Sequence, residues 1–197
     1  GKYFDKIVNV AAEVLDPYAN QFAMMGYGNH ETAILSRHET DITERIIEKL
    51  KYKGGERLQK GRYAGWERLR FWFGSTPVTL WYYYHHGWGG GGPVTRGTID
   101  TSRMSVYVPD ARIVQVGHVH HAYEMPIQRS RVNNQGREFL DEQLHIRTPG
   151  YKDEFSGGMG WAVERGMAPR PQGAHAIEFY VEDTSTKTIG LRSWRLT

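Results

Sequence analysis

The sequence predicts an α/β fold whose strands deliver histidines to one edge. Three observations predict it: helical periods enclose a short apolar strand near the amino terminus, two aromatic-rich strands follow, and the carboxyl-terminal part alternates with period two. Each element has a local reason.

"YFDKIVNVAAEVL" places Phe4, Ile7, Val8, Ala11, Val14 and Leu15 at helical spacing, and "LDPYA" stops that helix. "FAMMGY" then reads as a buried strand leading into "GNHE". The helical period returns in "TDITERIIEKLKY" with Ile42, Ile46, Ile47 and Leu50, and "KGG" ends it. "RYAGWERLRFWF" and "VTLWYYYHH" are two strands around a "GSTP" turn, the second carrying His85 and His86 at its carboxyl end. A weak helix near residues 98–106 precedes "ARIVQVGHVHH", another strand ending in histidines. Beyond it "AYEMPIQRSRV", the turn "NNQG" and "REFLDEQLHIRT" continue the β pattern. "GAHAIEFYVED" and "TIGLRSWRL" form a terminal hairpin. Trp66, Trp72, Trp81 and tyrosines 82–84 alternate along strands and are expected in the core rather than as base-stacking platforms. No repeat or linker interrupts the chain, so a single domain over residues 1–197 is expected.

Composition narrows the chemistry. No cysteine occurs, which excludes disulfides and thiolate metal sites and fits a reducing, cytoplasmic location. No apolar run approaches the roughly 20 residues of a membrane span, so no membrane partner is expected. The net charge of +3 is spread along the chain, compatible with a polyanionic partner but not demanding one. "GWGGGGPVTRGTID" lacks the Gly-Lys-Ser/Thr ending of a nucleotide-binding P-loop and reads as a connection, with Arg96 a candidate phosphate contact.

Six of the nine histidines fall in three short segments, residues 28–31, 85–87 and 117–121, each after a strand-like run. In open α/β sheets the ligand site lies outside the carboxyl ends of the strands, so three such ends can meet in one crevice. Clustered imidazoles with an asparagine and no thiols suit a borderline transition metal. Taken in order, Gly28-Asn29-His30-Glu31, His86-Gly87 and Gly117-His118-Val119-His120 resemble the later motifs of the calcineurin-like metallophosphoesterase superfamily. "RTPGYKDEFSGG" and "GWAVERG" also look like its phage and prokaryotic members.

The resemblance implies a partial α/β/β/α sandwich with a β-rich carboxyl-terminal part. It also implies a phosphoesterase that hydrolyses a phosphomonoester or phosphodiester, nucleotides and nucleic acids included, with water activated by two divalent ions (Mn, Fe or Zn). Carried over by position, it makes Asn29, His86 and His118 ligands of one ion and His120 a ligand of its neighbour. His30 becomes the catalytic histidine beside the phosphate. His86 is preferred to His85 because it directly precedes glycine; the two point to opposite strand faces, and a register change exchanges them. His121 is expected to support the ligands or face solvent.

Family members also carry an upstream Asp-x-His and a Gly-Asp pair. Neither precedes Gly28, since Asp5 and Asp16 lack the needed neighbours, so the expectation is an amino-terminally incomplete domain that binds metal weakly. Two alternatives stay open: a metallophosphoesterase-like scaffold that has lost catalysis and binds a partner or nucleic acid, and an unrelated zinc module with one closed tetrahedral site.

Overall fold

In a computed structural model of the chain, residues 2–90, 92, 94–153 and 155–197 are described. The chain is mixed α/β and divides into two compact units, Gly1–Gly65 and Trp66–Thr197. No helix among the described residues is long and apolar enough to cross a membrane.

The first unit holds α1 (Lys2–Leu15), a 3-10 turn (Asp16–Gln21), β1 (Met24–Met25), α2 (Asn29–His38), α3 (Ile42–Lys51) and β2 (Gln59–Lys60). The apolar stripe of α1 buries Val8, while Val14 faces solvent instead of joining it. Leu50 and Leu58, both fully buried, form a core with Ala19 and Ile47, against which Leu15, Phe22, Met25 and Ile46 pack. Asp41 caps α3 by accepting from the Glu44 amide (2.9 Å) and also takes the Tyr27 hydroxyl proton donor and the Lys60 ammonium (2.8 Å). That network fixes the turn ahead of residue 28, and β1 pairs in parallel with β2.

The second unit takes in β3 (Ala64–Phe73), β4 (Thr76–His85), α4 (Thr98–Tyr107), β5 (Ile113–Val116), β6 (Tyr123–Val132), β7 (Glu138–Arg147), α5 (Trp161–Glu164), β8 (Ala174–Asp183) and β9 (Thr188–Leu196). Five strands form one sheet in the order β3-β4-β5-β7-β6. Within it β4, β5 and β7 run parallel, and β6 is antiparallel to β7. Alternation on β5 separates two cores. Val114 and Val116 pack with Met104, Val108 and Ala111 under α4, whereas Ile113 joins Leu144, Ile146, Ile177 and Phe179 beneath the β8–β9 hairpin.

Two expectations are overturned here. Trp66, Trp72 and Trp81 are not core residues: they stay 43%, 61% and 41% exposed, because they share the strand faces that α4 and the terminal hairpin leave open. Tyr82 and Tyr83 do pack against the two cores. The strand expected over "ARIVQVGHVHH" stops at Val116. His118 and His120 have φ of 71° and 55°, left-handed values that a strand cannot contain.

One buried histidine makes the sheet sensitive to acid. On β7, Gln143 donates its amide to the Val108 and Ala111 carbonyls (2.9 Å each), which leaves its Oε1 to accept from His145 Nε2 (2.8 Å). His145 is therefore protonated at Nε2, and its Nδ1 has no partner among the described residues. Burial, with the Arg129 charge, lowers its pKa from 6.5 to about 4. A lowered histidine stabilises the fold fully above the unfolded value and loses that contribution as pH falls through the window from 6.5 to about 4. The expected loss is on the order of 3 kcal/mol. Urea unfolding at the two ends of the window measures it, and His145→Gln should remove the step; an identical pH dependence in that variant would assign the effect elsewhere.

Candidate metal centre

Register brings the histidine edge together. His85, Val116 and Arg147 are neighbours across β4, β5 and β7, so the chain leaves all three parallel strands at the same edge. The Gly117 amide donates to the His85 carbonyl (3.3 Å) and the Thr148 amide to Val116 (3.1 Å), which extends the pairing by one residue. The chain then turns sharply, with the Val119 amide donating to the Gly117 carbonyl (2.9 Å). Holding two histidines at positive φ costs about 1–3 kcal/mol each. Val119, 2% exposed, offsets part of that by burying its side chain inside the turn.

The turn aims His118 at His86. His86 Nε2 and His118 Nδ1 are 3.2 Å apart, with ring centroids separated by 5.1 Å and planes inclined by 66°. Two imidazole nitrogens sharing one tetrahedral ion at about 2.0–2.1 Å stand about 3.3 Å apart, so the observed separation suits a common ion. The same separation is that of an N–H···N hydrogen bond, so metal binding would require the donating imidazole to carry its proton on the other ring nitrogen. Among the described residues no group of three or more His, Asp or Glu side chains surrounds one point.

Two neighbours hold the pair in place. Gly87 has φ of +104°, and a Cβ there would lie 2.6 Å from the Gly117 carbonyl oxygen and 2.9 Å from the His118 Cβ. The glycine after His86 is therefore what lets the two histidine segments meet. Beneath them lies Arg147, 2% exposed, whose Nη1 and Nη2 donate to the carbonyls of Gly117 and Gly97 (3.1 Å each). Gly97 sits at φ +87°, and a Cβ there would come within 2.8 Å of that guanidinium. Sequence reasoning missed Arg147; its signal was an arginine closing "QLHIR", where Leu144 and Ile146 alternate with polar residues.

His85 takes the opposite face from His86. Its Nδ1 accepts from the Gly87 amide (2.7 Å) and its ring stands edge-on to Trp88 at 4.8 Å. Burial, reinforced by the Arg147 charge, pushes its pKa down. His120 is turned elsewhere: its ring lies against Gly150, where a Cβ would be 3.1 Å away, and lines a small cleft with Asp153, Phe155 and Arg170. His121 lines a larger cleft of about 860 Å³ with Arg96, Tyr123, Glu124 and Arg170. Arg170 also donates to the Val119 carbonyl (2.7 Å), tying that cleft to the histidine turn. Of the glycine-rich connection, Gly91 and Pro93 lie outside the described residues.

Asn29 and His30 belong to the first unit. They are the first two residues of α2, Asn29 half-buried and His30 exposed. Gly28 precedes them in extended conformation, and its amide donates to the Glu31 carboxylate (2.9 Å). Glu31 thereby caps the helix that presents both residues.

No family model matches the chain, and neither a curated protein nor a solved structure matches it.

Proposed function

We propose that this chain is a metal-dependent phosphoesterase of the α/β/β/α sandwich type, acting on a phosphomonoester or phosphodiester. The observation that carries the reading is the pairing of His86 with His118 at a nitrogen separation of 3.2 Å, on the carboxyl edge of three parallel strands. Neutral imidazoles are good donors to Zn, Mn or Fe and add no negative charge that would repel a phosphate.

In this reading His86 and His118 would hold one divalent ion, while Asn29 and His120 keep the ligand roles that the family resemblance implies. A bound ion supplies Lewis acidity, polarising a phosphoryl oxygen and acidifying water. The chain's own part is to orient and to move protons. Arg147 and Gly87 keep the two imidazoles facing, and His30 donates a proton to the leaving oxygen, a role worth about 10²–10⁴ in rate.

Calorimetric titration with Zn²⁺ and Mn²⁺ tests the site, and hydrolysis of a nitrophenyl phosphodiester tests the chemistry. Weak binding is expected, lost by tenfold or more in His86→Ala and His118→Ala. His30→Ala should lower turnover while leaving metal binding intact. Metal binding unchanged by both paired-histidine variants would remove the reading. Metal binding without turnover would favour the non-catalytic scaffold.

A further inference from the structure

The exposed tryptophans lie apart from the histidine edge and form their own pattern. In "WERLRFW" the alternate residues Trp66, Arg68, Arg70 and Trp72 share one face of β3, and all four are exposed. Glu67, Leu69, Phe71 and Phe73 take the other face, where Phe71 packs on Phe179 at 5.1 Å between centroids. Trp66 is held in a fixed attitude: its ring is edge-on to Trp81 at 6.4 Å and to Tyr83 at 5.0 Å. Beside it opens a cleft of about 720 Å³ whose lining includes Trp66, Thr79, Trp81, Arg112 and Arg129.

The charges decide what fits. Arg129 is neutralised by Asp141 through two bonds of 2.8 Å, and Arg112 faces Glu142 at 3.5 Å. Arg68 and Arg70, in contrast, make no hydrogen bond or ion pair with other described residues. The open face therefore offers flat aromatic rings at both ends of β3's outer row and two unneutralised guanidinium groups between them. Successive same-face side chains on a strand stand about 6.7 Å apart, so the row alternates stacking surface and positive charge along a line. An apolar protein surface placed there would bury Arg68 and Arg70 without partners, at a cost of several kcal/mol per ion. A duplex satisfies the charges but hides the faces of its bases inside its stack.

We propose that this β3 face binds single-stranded nucleic acid, bases stacking on Trp66, Trp72 and Trp81 and phosphates meeting Arg68 and Arg70. This is the combination of stacking platform and basic track that unpaired strands require. The site is separate from the phosphoesterase reading and does not depend on metal.

The experiment is titration of the chain, with chelator present, using a fluorescently labelled oligothymidylate, a duplex of equal length and heparin. Oligothymidylate should bind with quenching of tryptophan emission. Trp66→Ala and Trp72→Ala should each weaken it about tenfold. Arg68→Gln combined with Arg70→Gln should reduce the slope of log affinity against log salt by about 1.4. These side chains face solvent, and unchanged circular dichroism would show that the variants fold. Absence of oligothymidylate binding, equal affinity for duplex or heparin, or insensitivity to both tryptophan variants overturns the proposal. So does self-association of the wild-type chain that Trp66→Ala abolishes, which would make the face a contact between copies.

Discussion

Gly87→Ala is expected to cost the second unit about 4 kcal/mol and to separate His86 from His118. Two costs combine. An alanine at φ +104° is strained by about 1–3 kcal/mol, and its methyl would sit 2.6 Å from the Gly117 carbonyl oxygen, a contact with backbone rather than with a side chain that can swing away. Forcing atoms into a packed site adds about 1–3 kcal/mol. The obstructed atoms belong to the turn that carries His118, so the strain is released by moving that imidazole. Gly89 supplies the control: it has φ +79° but nothing within 4 Å of a Cβ, so Gly89→Ala should show only the conformational cost. Urea unfolding gives the stabilities, and zinc titration gives the consequence for the pair. Equal losses in the two variants would mean that the close approach contributes nothing.

Arg147→Met is expected to produce a comparable loss by a different route. The substitution keeps an unbranched apolar stem, shorter than the arginine, and removes the donors to the Gly97 and Gly117 carbonyls. Each carbonyl keeps another donor, the Val119 amide on Gly117 and the Thr101 amide on Gly97, so the loss is that of two hydrogen bonds from a charged donor, about 1.5–3 kcal/mol each and about 4 kcal/mol for both. Arg147→Lys restores the charge but not the planar fork that reaches two carbonyls at once, and should recover part of the stability only. A second readout separates positioning from simple destabilisation. Burial and, after it, the guanidinium lower the His85 pKa, so in Arg147→Met that pKa should rise part of the way while Arg147→Lys keeps it low. Imidazole titration by NMR follows the shift; a His85 curve identical in wild type and Arg147→Met would place the guanidinium too far away to matter.

The elements of both units were legible because they obey local periods. The four Ile and Leu positions that α3 buries or half-buries, Ile42, Ile46, Ile47 and Leu50, follow from helical spacing, and β6 alternates without a break from Tyr123 to Val132. The three tryptophans were misread for a definite reason. Period two tells which residues share a face, but not which face another layer covers. Arg68 and Arg70 have the same parity as Trp66 and Trp72, and that parity marked the face as the wet one.

The histidine segments divide in the same way. Glycine before and after them could be read directly, and it announced tight backbone. Residue order alone suggested that a strand ran on through "GHVHH", because Val116 and Val119 belong to a β-branched run. The bend at His118 exists because the carbonyl of Gly117 meets the loop at Gly87 and the guanidinium of Arg147, groups 30 residues away on either side.

By itself the sequence determined the mixed α/β class, most positions of helices and strands, and the absence of any thiol donor. Only the tertiary structure decided that His86 rather than His85 meets His118, that Arg147 lies beneath them, and that β3 leaves a row of tryptophan and arginine in water. Periodicity is a property of neighbours along the chain, whereas pairing across parallel strands depends on register between segments that the sequence keeps far apart.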